Sequence, residues 1–401
     1  MSASPQVFRS LPQERIVYGE NAFRQLRSEV QTLGGRRAFI ITGATLATKT
    51  PVVDAAVDQL GDLCAGVFHE CHEHVPMETV FAAAARARDA GADLLVSVGG
   101  GTPMDTAKAV ALILGEDIGS SDRLKSFRVR YEHGTGSTAP AVKSERVLPH
   151  VTVPTTISGG EYSHGFSVTD EATRAKDIFI HPSFVPRVVI LDPAVTLHTP
   201  MQLWLSTGVR SIDHAIESFC SLSHSPVTDS LALTALPSLF QSLLACKEKP
   251  EDLSIRLECQ VASWLSIYLV IPNVRFGLSH ALGHQVGARF GVPHGLTSCM
   301  LLPPVLAFNR VVNAERQSML AAAIGASTPR MSANEGAIAL ATAVERLVAE
   351  LGLPSRLREF GVQQNQFAQV AQQTLADVIV ETNPRAIKGP EDVVGILEAA
   401  W

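Results

Sequence analysis

Three histidines within fifteen residues, His280, His284 and His294, mark the part of this sequence best suited to chemistry. A helix over residues 278–286 would place His280 and His284, four positions apart, on one face. His294 follows a Gly-Val-Pro segment, where that helix should end and a loop or a new helix can return a third imidazole. Because imidazole binds metals and transfers protons, the spacing predicts a metal site or a proton-transfer site. The alternative is that each is an ordinary hydrogen-bonded histidine.

A second group of candidate residues lies in a glycine-rich turn directly after an apolar segment, residues 93–98. Glycine lets backbone N–H groups approach a diphosphate closely, and the N-terminus of a following helix adds a favourable dipole. The predicted strand, turn and helix from Thr106 provide the context of a dinucleotide site, although the spacing differs from the usual Rossmann pattern. A tight structural turn is the alternative. The candidate cofactor-binding residues here are Gly99, Gly100, Gly101, Thr102 and Asp105.

Two threonines, Thr155 and Thr156, follow another short apolar segment, residues 151–154. Their hydroxyl groups can hydrogen-bond a ribose, a phosphate or an amide. They are therefore further candidate cofactor-binding residues.

The elements that must position these residues alternate between strand and helix in the first half of the chain. Continuous apolar segments, typical of buried parallel strands, alternate with segments of helical periodicity up to residue 192. This alternation predicts a doubly wound α/β domain over residues 1–195. From residue 196 onward apolar residues recur at helical spacing, which predicts an all-helical second domain over residues 196–401.

Residues 120–148 interrupt the alternation. They combine a glycine-, serine- and threonine-rich segment with scattered basic side chains, a pattern that predicts an exposed excursion rather than core. A solvated loop is the simplest interpretation, and a basic lid over an anionic ligand is the alternative. The basic residues are Arg123, Lys125, Arg128, Arg130, His133, Lys143 and Arg146.

The overall composition favours a folded protein with a small-molecule partner. The chain has 401 residues, is 46% hydrophobic and 18% charged, and has a formal net charge of -6. This balance gives no general attraction to nucleic acid or to an anionic membrane. The N-terminus lacks a signal-peptide pattern and the six cysteines form no CxxC pair, so we expect a cytoplasmic protein with reduced thiols.

Several motifs, in chain order, resemble those of the iron-containing alcohol dehydrogenase family, and within it the maleylacetate-reductase-like branch. GGGTPMDTAK at 99–108 is similar to the family's GGGSxxDxAK, and PTTISGGE at 154–161 is similar to its PTTxxxGSE. SIDHAIE at 211–217 is similar to its LxHAIE helix, and the segment at 280–309 resembles its HxxxHxxG, PHG and LPxVxxxN signature. The match covers nearly the whole chain, and the excursion at 120–148 is the main addition.

The resemblance implies an α/β domain that holds NAD(P), a helical domain, and a cleft between them. In that cleft a hydride would pass between the nicotinamide and a substrate carbonyl or alkene. The resemblance places the cofactor diphosphate on Gly99, Gly100 and Gly101, with Thr155 and Thr156 lining the same site. It also implies a homodimer.

The sequence departs from this family at the metal site. The resemblance implies four ligands in metal-dependent members: an aspartate, a histidine four residues later, and two histidines fourteen residues apart. His214, His280 and His294 occupy the histidine positions, but Arg210 stands at the position of the aspartate. A guanidinium donates no lone pair and repels a cation, so we predict that the catalytic metal, Fe or Zn, is missing. Asp213 is no substitute, since it points about 100 degrees away from His214 around a helix. If a metal is bound, the three histidines are its ligands.

A site without metal still needs a positive charge for the developing alkoxide and a proton donor. Arg210 can supply the charge, and His280 or His284 can supply the proton. Arg210 can instead clamp a substrate carboxylate or form a structural salt bridge. The candidate catalytic residues are His284, His280, Arg210 and His214.

Cofactor choice depends on the residue that ends the second predicted strand. The resemblance implies an acidic residue there in NAD-preferring members, where it binds the ribose 2'-OH, but this chain reads Ile41-Thr42-Gly43. Without a carboxylate at Gly43, nothing there repels a 2'-phosphate. We therefore expect NADPH to be accepted, alongside NADH or in preference to it.

Together these observations predict an NAD(P)H-dependent reductase of a small carbonyl compound or oxo-enoic acid, with maleylacetate as the named example. Three alternatives stay open. They are a metal-dependent alcohol dehydrogenase, an NAD-using carbon-oxygen lyase related to dehydroquinate synthase, and a cofactor-binding protein that has lost catalysis. Bound metal would identify the dehydrogenase, and product formed without net NADPH oxidation would identify the lyase. Cofactor binding without turnover would identify the protein that has lost catalysis.

Overall fold

The first half of the chain is built on one parallel sheet. The structure is a computed structural model and describes residues 7–132, 136–138, 140–171 and 175–401. The strands are β1 (Arg15–Tyr18), β2 (Ala38–Thr42), β3 (Cys64–Phe68), β4 (Leu94–Gly99), β5 (Arg130–Glu132), β6 (Gly136–Thr138), β7 (His150–Pro154), β8 (Gly165–Asp170), β9 (Ala175–Ile180) and β10 (Val188–Leu191). Six of them pair in parallel in the order β1-β10-β7-β4-β2-β3, while β5 with β6 and β8 with β9 form two antiparallel hairpins.

The α-helices cover the sheet in the first half and make up the second half. Within the described part of the chain they are α1 (Leu26–Thr32), α2 (Ala44–Lys49), α3 (Val52–Leu60), α4 (Met77–Asp89), α5 (Gly101–Gly115), α6 (Ser121–Lys125), α7 (Met201–Cys220), α8 (Pro226–Glu248), α9 (Leu253–Ile267), α10 (Leu278–Phe290), α11 (His294–Ala323), α12 (Ala333–Leu351), α13 (Phe367–Leu375) and α14 (Pro390–Ala400).

Helices pack on both faces of the parallel sheet. Successive residues of a strand point to opposite faces, and in β2 Ile40 packs with α1 and α3 whereas Ile41 packs with α4 and α5. The strands β2, β4, β7 and β10 are consequently buried along their whole length. This two-sided burial explains why their sequences are continuous apolar runs rather than alternating ones.

The predicted fold class is confirmed. No strand occurs among residues 196–401, all of which the structure describes, and their helices enclose one apolar core that includes Trp204 and Phe219. The antiparallel hairpin β8–β9 was not predicted from the sequence. Its strand β8 alternates buried and half-buried residues, but it lies between two segments with stronger apolar patterns.

The excursion at 120–148 is more closely packed than predicted. Leu124 and Phe127 are buried in the apolar core on the α4 and α5 face of the sheet. The sequence contains only these two well-spaced large apolar residues between residues 120 and 128, a weak signal beside the surrounding charges. The prediction that the excursion contains no core residues was therefore wrong for its first part, residues 120–128.

Two basic residues of the excursion pair with carboxylates of the β8–β9 hairpin. Lys125 Nζ lies 2.8 Å from Asp170 Oδ2, and Arg128 Nη1 lies 2.9 Å from Asp177 Oδ1. These pairs attach the excursion to the hairpin, so neither cation is free to act as a lid over an anionic ligand. His133 lies outside the described residues.

Two helices, Pro226–Glu248 and His294–Ala323, are long and apolar enough to cross a membrane by length and composition alone. Of their apolar windows, 39% and 67% respectively is buried within the helical half. The second value is the pattern of a core helix.

Candidate active site

The predicted cofactor residues meet where the carboxyl ends of β2, β4 and β7 lie side by side. Gly99, the last residue of β4, pairs with Pro154, and the N–H of Thr155 donates to the Gly99 carbonyl at 3.0 Å. Gly43 directly follows β2, the neighbour of β4 on its other side. Ligands of open α/β sheets bind at this end of the strands.

The glycine turn leaves its backbone open to a ligand. Gly99 has a φ of +141°, in the region that favours glycine, and a Cβ on Gly100 would lie 3.1 Å from Thr156 Cγ2. A Cβ on Gly101 would meet no atom closer than 3.8 Å, so the space beside it is open. Helix α5 begins at Gly101 rather than at Thr106, so its unpaired N–H groups belong to the turn itself.

Thr102 and Asp105 follow in the first turns of α5. Asp105 Oδ2 accepts the N–H of Ser167 in β8 at 3.2 Å, and its Oδ1 lies 3.9 Å from Lys108 Nζ. Burial raises the pKa of Asp105, and the charge of Lys108 opposes that rise. Asp105 therefore ties the cofactor helix to the hairpin, and its contact with a cofactor stays a prediction.

The candidate catalytic residues converge from three helices. Helix α7 carries Arg210 and His214 one turn apart, α10 carries His280 and His284, and α11 begins at His294. The ring centroids of His214 and His280 lie 5.1 Å apart, and those of His284 and His294 lie 5.6 Å apart. The helix that begins at His294 thus returns the third imidazole to His284.

Arg210 is buried among these rings, with 4% of its surface exposed. Its Nη2 lies 2.7 Å from His294 Nε2, and its Nη1 lies 3.1 Å from Ser298 Oγ and 3.3 Å from Asp213 Oδ2. Because arginine can only donate, Nε2 of His294 must accept, and the proton of that ring lies on Nδ1.

Asp213 belongs to the cluster, although we expected it to point away from His214. Its Oδ2 accepts from Ser279 Oγ at 2.9 Å and Ser298 Oγ at 2.6 Å, and lies 3.7 Å from His280 Nδ1. Helix α7 is buried on all sides in this stretch. Residues 100 degrees apart on such a helix therefore face different partners within one packed site.

His280 is held by a carboxylate. Its Nδ1 lies 2.6 Å from Glu217 Oε2, and the Glu217 oxygens also accept the N–H groups of Gly277, Ser279 and His280 itself. Burial, together with the charge of Asp213, raises the pKa of Glu217 to about 8. With Nδ1 directed at Glu217, the Nε2 of His280 is buried without a hydrogen-bond partner among the described residues.

His284 has a different environment. Its Nδ1 lies 2.9 Å from Asp377 Oδ2, and 28% of its side chain is exposed, compared with 3% for His280. Burial acts to raise the pKa of Asp377, but the hydrogen bond and charge of His284 outweigh it and the pKa is lowered. An ionised carboxylate on Nδ1 orients the ring and leaves Nε2 available.

The other three imidazoles are held neutral. Burial, followed by the positive charge of Arg210, lowers the pKa of His214 and His280 well below the usual histidine value. His294 is exposed, but its Nε2 accepts a hydrogen bond from Arg210 and therefore carries no proton. His284 is half-buried and is the imidazole of the cluster with an ionised partner.

The two halves of the site are joined by the loop after β7. Ser211 Oγ of α7 donates to the Ile157 carbonyl at 2.6 Å, and the Ile157 N–H donates to Thr207 Oγ1 at 3.3 Å. A Cβ on Gly159 would lie 3.4 Å from His214 Cε1. The loop that follows Thr155 and Thr156 therefore packs directly on the helix that carries Arg210 and His214.

Close helix approach sets the distance between Arg210 and His294. A Cβ on Gly295 would lie 2.7 Å from the Ser206 backbone, and one on Gly283 would lie 2.9 Å from Thr297 Oγ1. Only glycine allows the N-terminus of α11 to pack this closely on α7 and α10.

Three residues of the site escaped the sequence analysis. Glu217 and Asp377 hold the two histidines of α10, and Lys176 on β9 lies within electrostatic range of the cluster. Burial lowers the pKa of Lys176, the charge of Asp105 opposes that shift, and the charge of Arg210 adds to it. Of the three, only Glu217 could have been identified from the sequence, because it is part of the SIDHAIE motif at 211–217.

Comparison with known proteins agrees with this architecture. The profile described as "Iron-containing alcohol dehydrogenase" matches residues 12–193, and that described as "Fe-containing alcohol dehydrogenase family, C-terminal" matches residues 204–401. The chain belongs to the iron-containing alcohol dehydrogenase family. It is accordingly an oxidoreductase.

Individual members of the iron-containing alcohol dehydrogenase family are similar over most of their length. The chain is 36% identical to "Probable alcohol dehydrogenase EutG" of Salmonella typhimurium over 76% of this chain and 72% of that protein. It is 33% identical to maleylacetate reductase 2 of Cupriavidus pinatubonensis over 79% and 77% of the two chains. The crystal structure of maleylacetate reductase from Agrobacterium tumefaciens superposes with a TM-score of 0.80 at 25% identity, covering 99% and 98%.

The metal that names this family does not fit the residues found here. Arg210 donates to His294 Nε2, the nitrogen that would face an ion. Asp213, Glu217 and His280 do offer ligand atoms within 4.8 Å of one another. However, His280 Nδ1 is already hydrogen-bonded to Glu217 Oε2, and three of the four carboxylate oxygens already take part in hydrogen bonds. Neither the histidines of the family's metal site nor the group of Asp213, Glu217 and His280 therefore offers a metal ion a full set of free lone pairs.

Proposed function

We propose that the chain is an NAD(P)H-dependent reductase of a small carbonyl compound or oxo-enoic acid, of which maleylacetate is the example, and that it works without a catalytic metal. The observation that carries the proposal is the direct bonding of the loop after β7 to α7. These bonds hold the chain that follows the glycine turn's neighbouring strand against the helix that carries Arg210 and His214. A dinucleotide bound on the turn would therefore lie next to the Arg210 cluster, as transfer to a small molecule requires.

Arg210 is the residue we assign to charge stabilisation. When bound, NAD(P)H supplies the hydride, and the substrate oxygen then gains negative charge. Both N–H groups of Nη1 are directed at Ser298 and Asp213, but Nη2 donates only one to His294, which leaves a further N–H for an oxygen in the cleft. A fixed cation in a buried site stabilises such charge more strongly than water does.

His284 is the residue we assign to proton transfer. It is more exposed than His280, and the contact of its Nδ1 with Asp377 orients the ring so that Nε2 is available. His280 and His214 are held neutral, and we assign them to shaping the site around Arg210.

The cofactor is proposed to lie on the carboxyl edge of the sheet. The N–H groups at the start of α5 and the hydroxyl groups of Thr155 and Thr156 are the groups suited to its phosphates and ribose. Gly43 leaves open space and no carboxylate beside it, which supports acceptance of NADPH as well as NADH.

The test is an assay of NADPH and NADH oxidation with maleylacetate and a panel of aldehydes, comparing wild type with His284→Gln. We expect substrate-dependent NADPH oxidation and a kcat roughly 10² to 10⁴ lower in the variant, the usual contribution of a general acid. His224→Gln is the matched control, because His224 forms a similar pair with Asp229, 3.0 Å away, at the surface. Product without net NADPH oxidation would favour the lyase, and an unchanged kcat in His284→Gln would remove His284 from the reaction.

A further inference from the structure

The β8–β9 hairpin contacts two parts of the chain that border the proposed cofactor site. The N–H of Ser167 donates to Asp105 Oδ2, on the helix that follows the glycine turn, at 3.2 Å. Thr169 donates from its N–H to the Val75 carbonyl at 2.9 Å and from its Oγ1 to the His74 carbonyl at 2.6 Å. The hairpin is therefore bonded both to α5 and to the segment that follows β3.

The segment that follows β3 is strained and lies beside the cofactor edge of the sheet. His74 and Val75 have φ values of +65° and +55°, which residues with a Cβ rarely adopt. The N–H of Cys71 donates to the carbonyl of Thr42, the last residue of β2, at 3.4 Å. Strained backbone persists only where its surroundings hold it, and the hairpin supplies two of the bonds that do so.

The excursion holds this hairpin through two ion pairs. Lys125 Nζ lies 2.8 Å from Asp170 Oδ2 on β8, and Arg128 Nη1 lies 2.9 Å from Asp177 Oδ1 on β9. The N–H of Val129 also donates to a β9 carbonyl at 2.8 Å. The two carboxylates are only 12% and 8% exposed, so each depends on a nearby cation to offset its loss of water.

A shift of β9 would also move a charge that acts on the site. Successive residues of a strand point to opposite faces, so Lys176 lies on the face opposite to Asp177. Burial lowers the pKa of Lys176, the charge of Asp105 opposes that shift and the charge of Arg210 adds to it. The Lys176 ammonium is therefore within electrostatic range of both the cofactor helix and the Arg210 cluster.

We propose that residues 124–129 of the excursion form an ionic brace that positions the β8–β9 hairpin for cofactor binding. Lys125 and Arg128 are positioning residues, because they act through the hairpin rather than on the cofactor. The brace keeps Ser167 and Thr169 in place against the two parts of the chain that border the glycine turn. This inference rests on the proposed function, since it takes NADPH to lie on that turn.

The experiment measures the Kd of NADPH from the change in its fluorescence on binding to the full-length protein. It compares wild type with Lys125→Gln, Arg128→Gln and Arg128→Lys. Lys143→Gln is the matched control, because it removes one positive charge from an exposed position of the same excursion. Circular dichroism establishes that each variant is folded, and steady-state kinetics with maleylacetate give kcat and the KM for NADPH.

We expect Lys125→Gln and Arg128→Gln to raise the Kd and the KM for NADPH roughly three- to thirtyfold, the range typical of residues that act on a site without touching it. The kcat at saturating NADPH should change less, because the brace contacts no reacting group. Arg128→Lys keeps the cation, and it and Lys143→Gln should stay within about twofold of wild type. Amide hydrogen exchange at Ser167 and Thr169 should be faster in Arg128→Gln, as weaker support of the hairpin predicts.

A folded Arg128→Gln protein with the wild-type Kd for NADPH would overturn the brace, and so would an equal rise in Lys143→Gln. If Arg128→Gln does not fold, Lys125→Gln decides, because its partner Asp170 is more exposed than Asp177. A wild type that binds NADPH but reduces no carbonyl compound would contradict the proposed function alone, and the Kd values would still decide the brace. A wild type that binds no NADPH would overturn both.

Discussion

Gly43 is the residue at which cofactor choice can be changed most simply. It caps α2 with extended backbone geometry, and a Cβ there would meet no atom within 4 Å. Any side chain at this position therefore enters the space proposed for the adenosine ribose.

Gly43→Asp should shift preference from NADPH toward NADH. The new carboxylate can accept the ribose 2'-OH and repel a 2'-phosphate, and we expect the ratio of kcat/KM for NADPH to that for NADH to fall by roughly tenfold or more. Gly43→Ala, which adds only a methyl group, is the control and should leave the ratio within about twofold. Equal ratios in all three proteins would place the ribose elsewhere.

Glu161 provides a residue-scale prediction on pH and stability. Its side chain is buried, Oε2 has no partner among the described residues, and burial raises its pKa to about 7 despite the charge of Lys108. The folded state therefore retains this proton at pH values where the unfolded state has lost it. Stability falls as pH rises from the unfolded pKa of about 4.3 through the folded value.

Glu161→Gln should remove that loss. Relative to wild type, its free energy of unfolding should be unchanged near pH 4 and higher at pH 8 by up to about 4 kcal/mol, at 1.36 kcal/mol per pKa unit. Urea unfolding at the two pH values measures the difference. The exposed Glu251→Gln serves as control, and a stability difference that did not vary with pH would show that the pKa of Glu161 is the same in the folded and unfolded states.

At the scale of elements, three helices position the cluster, and their approach depends on glycine. Helix α11 begins with His294 next to Gly295, whose Cα faces the backbone of Ser206 in α7. The sequence contains the glycine, but only packing against α7 gives it a function.

Gly295→Ala should separate α11 from α7 at their closest point. A Cβ 2.7 Å from backbone atoms cannot be accommodated by a side-chain rotation, so we expect a destabilisation of about 1 to 3 kcal/mol together with a lower kcat. Gly395→Ala on α14 is the control, since no atom lies within 4 Å of the added Cβ and helix propensity should stabilise it slightly. Thermal unfolding and steady-state kinetics of both variants test this, and an unaffected Gly295→Ala enzyme would mean that His294 need not be held so tightly.

At the scale of the whole molecule, the proposed cofactor site lies where the sheet and the helical half meet. A ligand that binds only the folded chain stabilises it, by about 2.7 kcal/mol at a hundred times its Kd. We expect NADPH to raise the midpoint of thermal unfolding of wild type and of His284→Gln alike, because His284 lies outside the glycine turn.

Gly101→Ala should lose most of that rise at the same NADPH concentration. The added methyl group fits the free protein, where the nearest atom is 3.8 Å away, so the midpoint without NADPH should not fall. A full NADPH-dependent rise in this variant would contradict the proposed position of the diphosphate.

The sequence alone determined the elements whose signals are local. Apolar runs located β2, β4, β7 and β10, and helical periodicity located the second half, because buried strands and amphipathic helices impose regular spacing on neighbouring residues. The glycine run likewise identified candidate cofactor-binding residues, and the spacing of the histidines identified candidate catalytic residues. The replacement of an aspartate by Arg210 was visible only through the family resemblance.

The tertiary structure decided what depends on distant parts of the chain. The pairing of His284 with Asp377 joins residues 93 positions apart, and that of His280 with Glu217 joins residues 63 positions apart. The contact of Arg210 with His294 likewise requires α11 to pack on α7. These packing distances decide which histidine nitrogens form hydrogen bonds, which rings are neutral and whether Asp213 faces the cluster. The spacing of residues along one helix does not determine them.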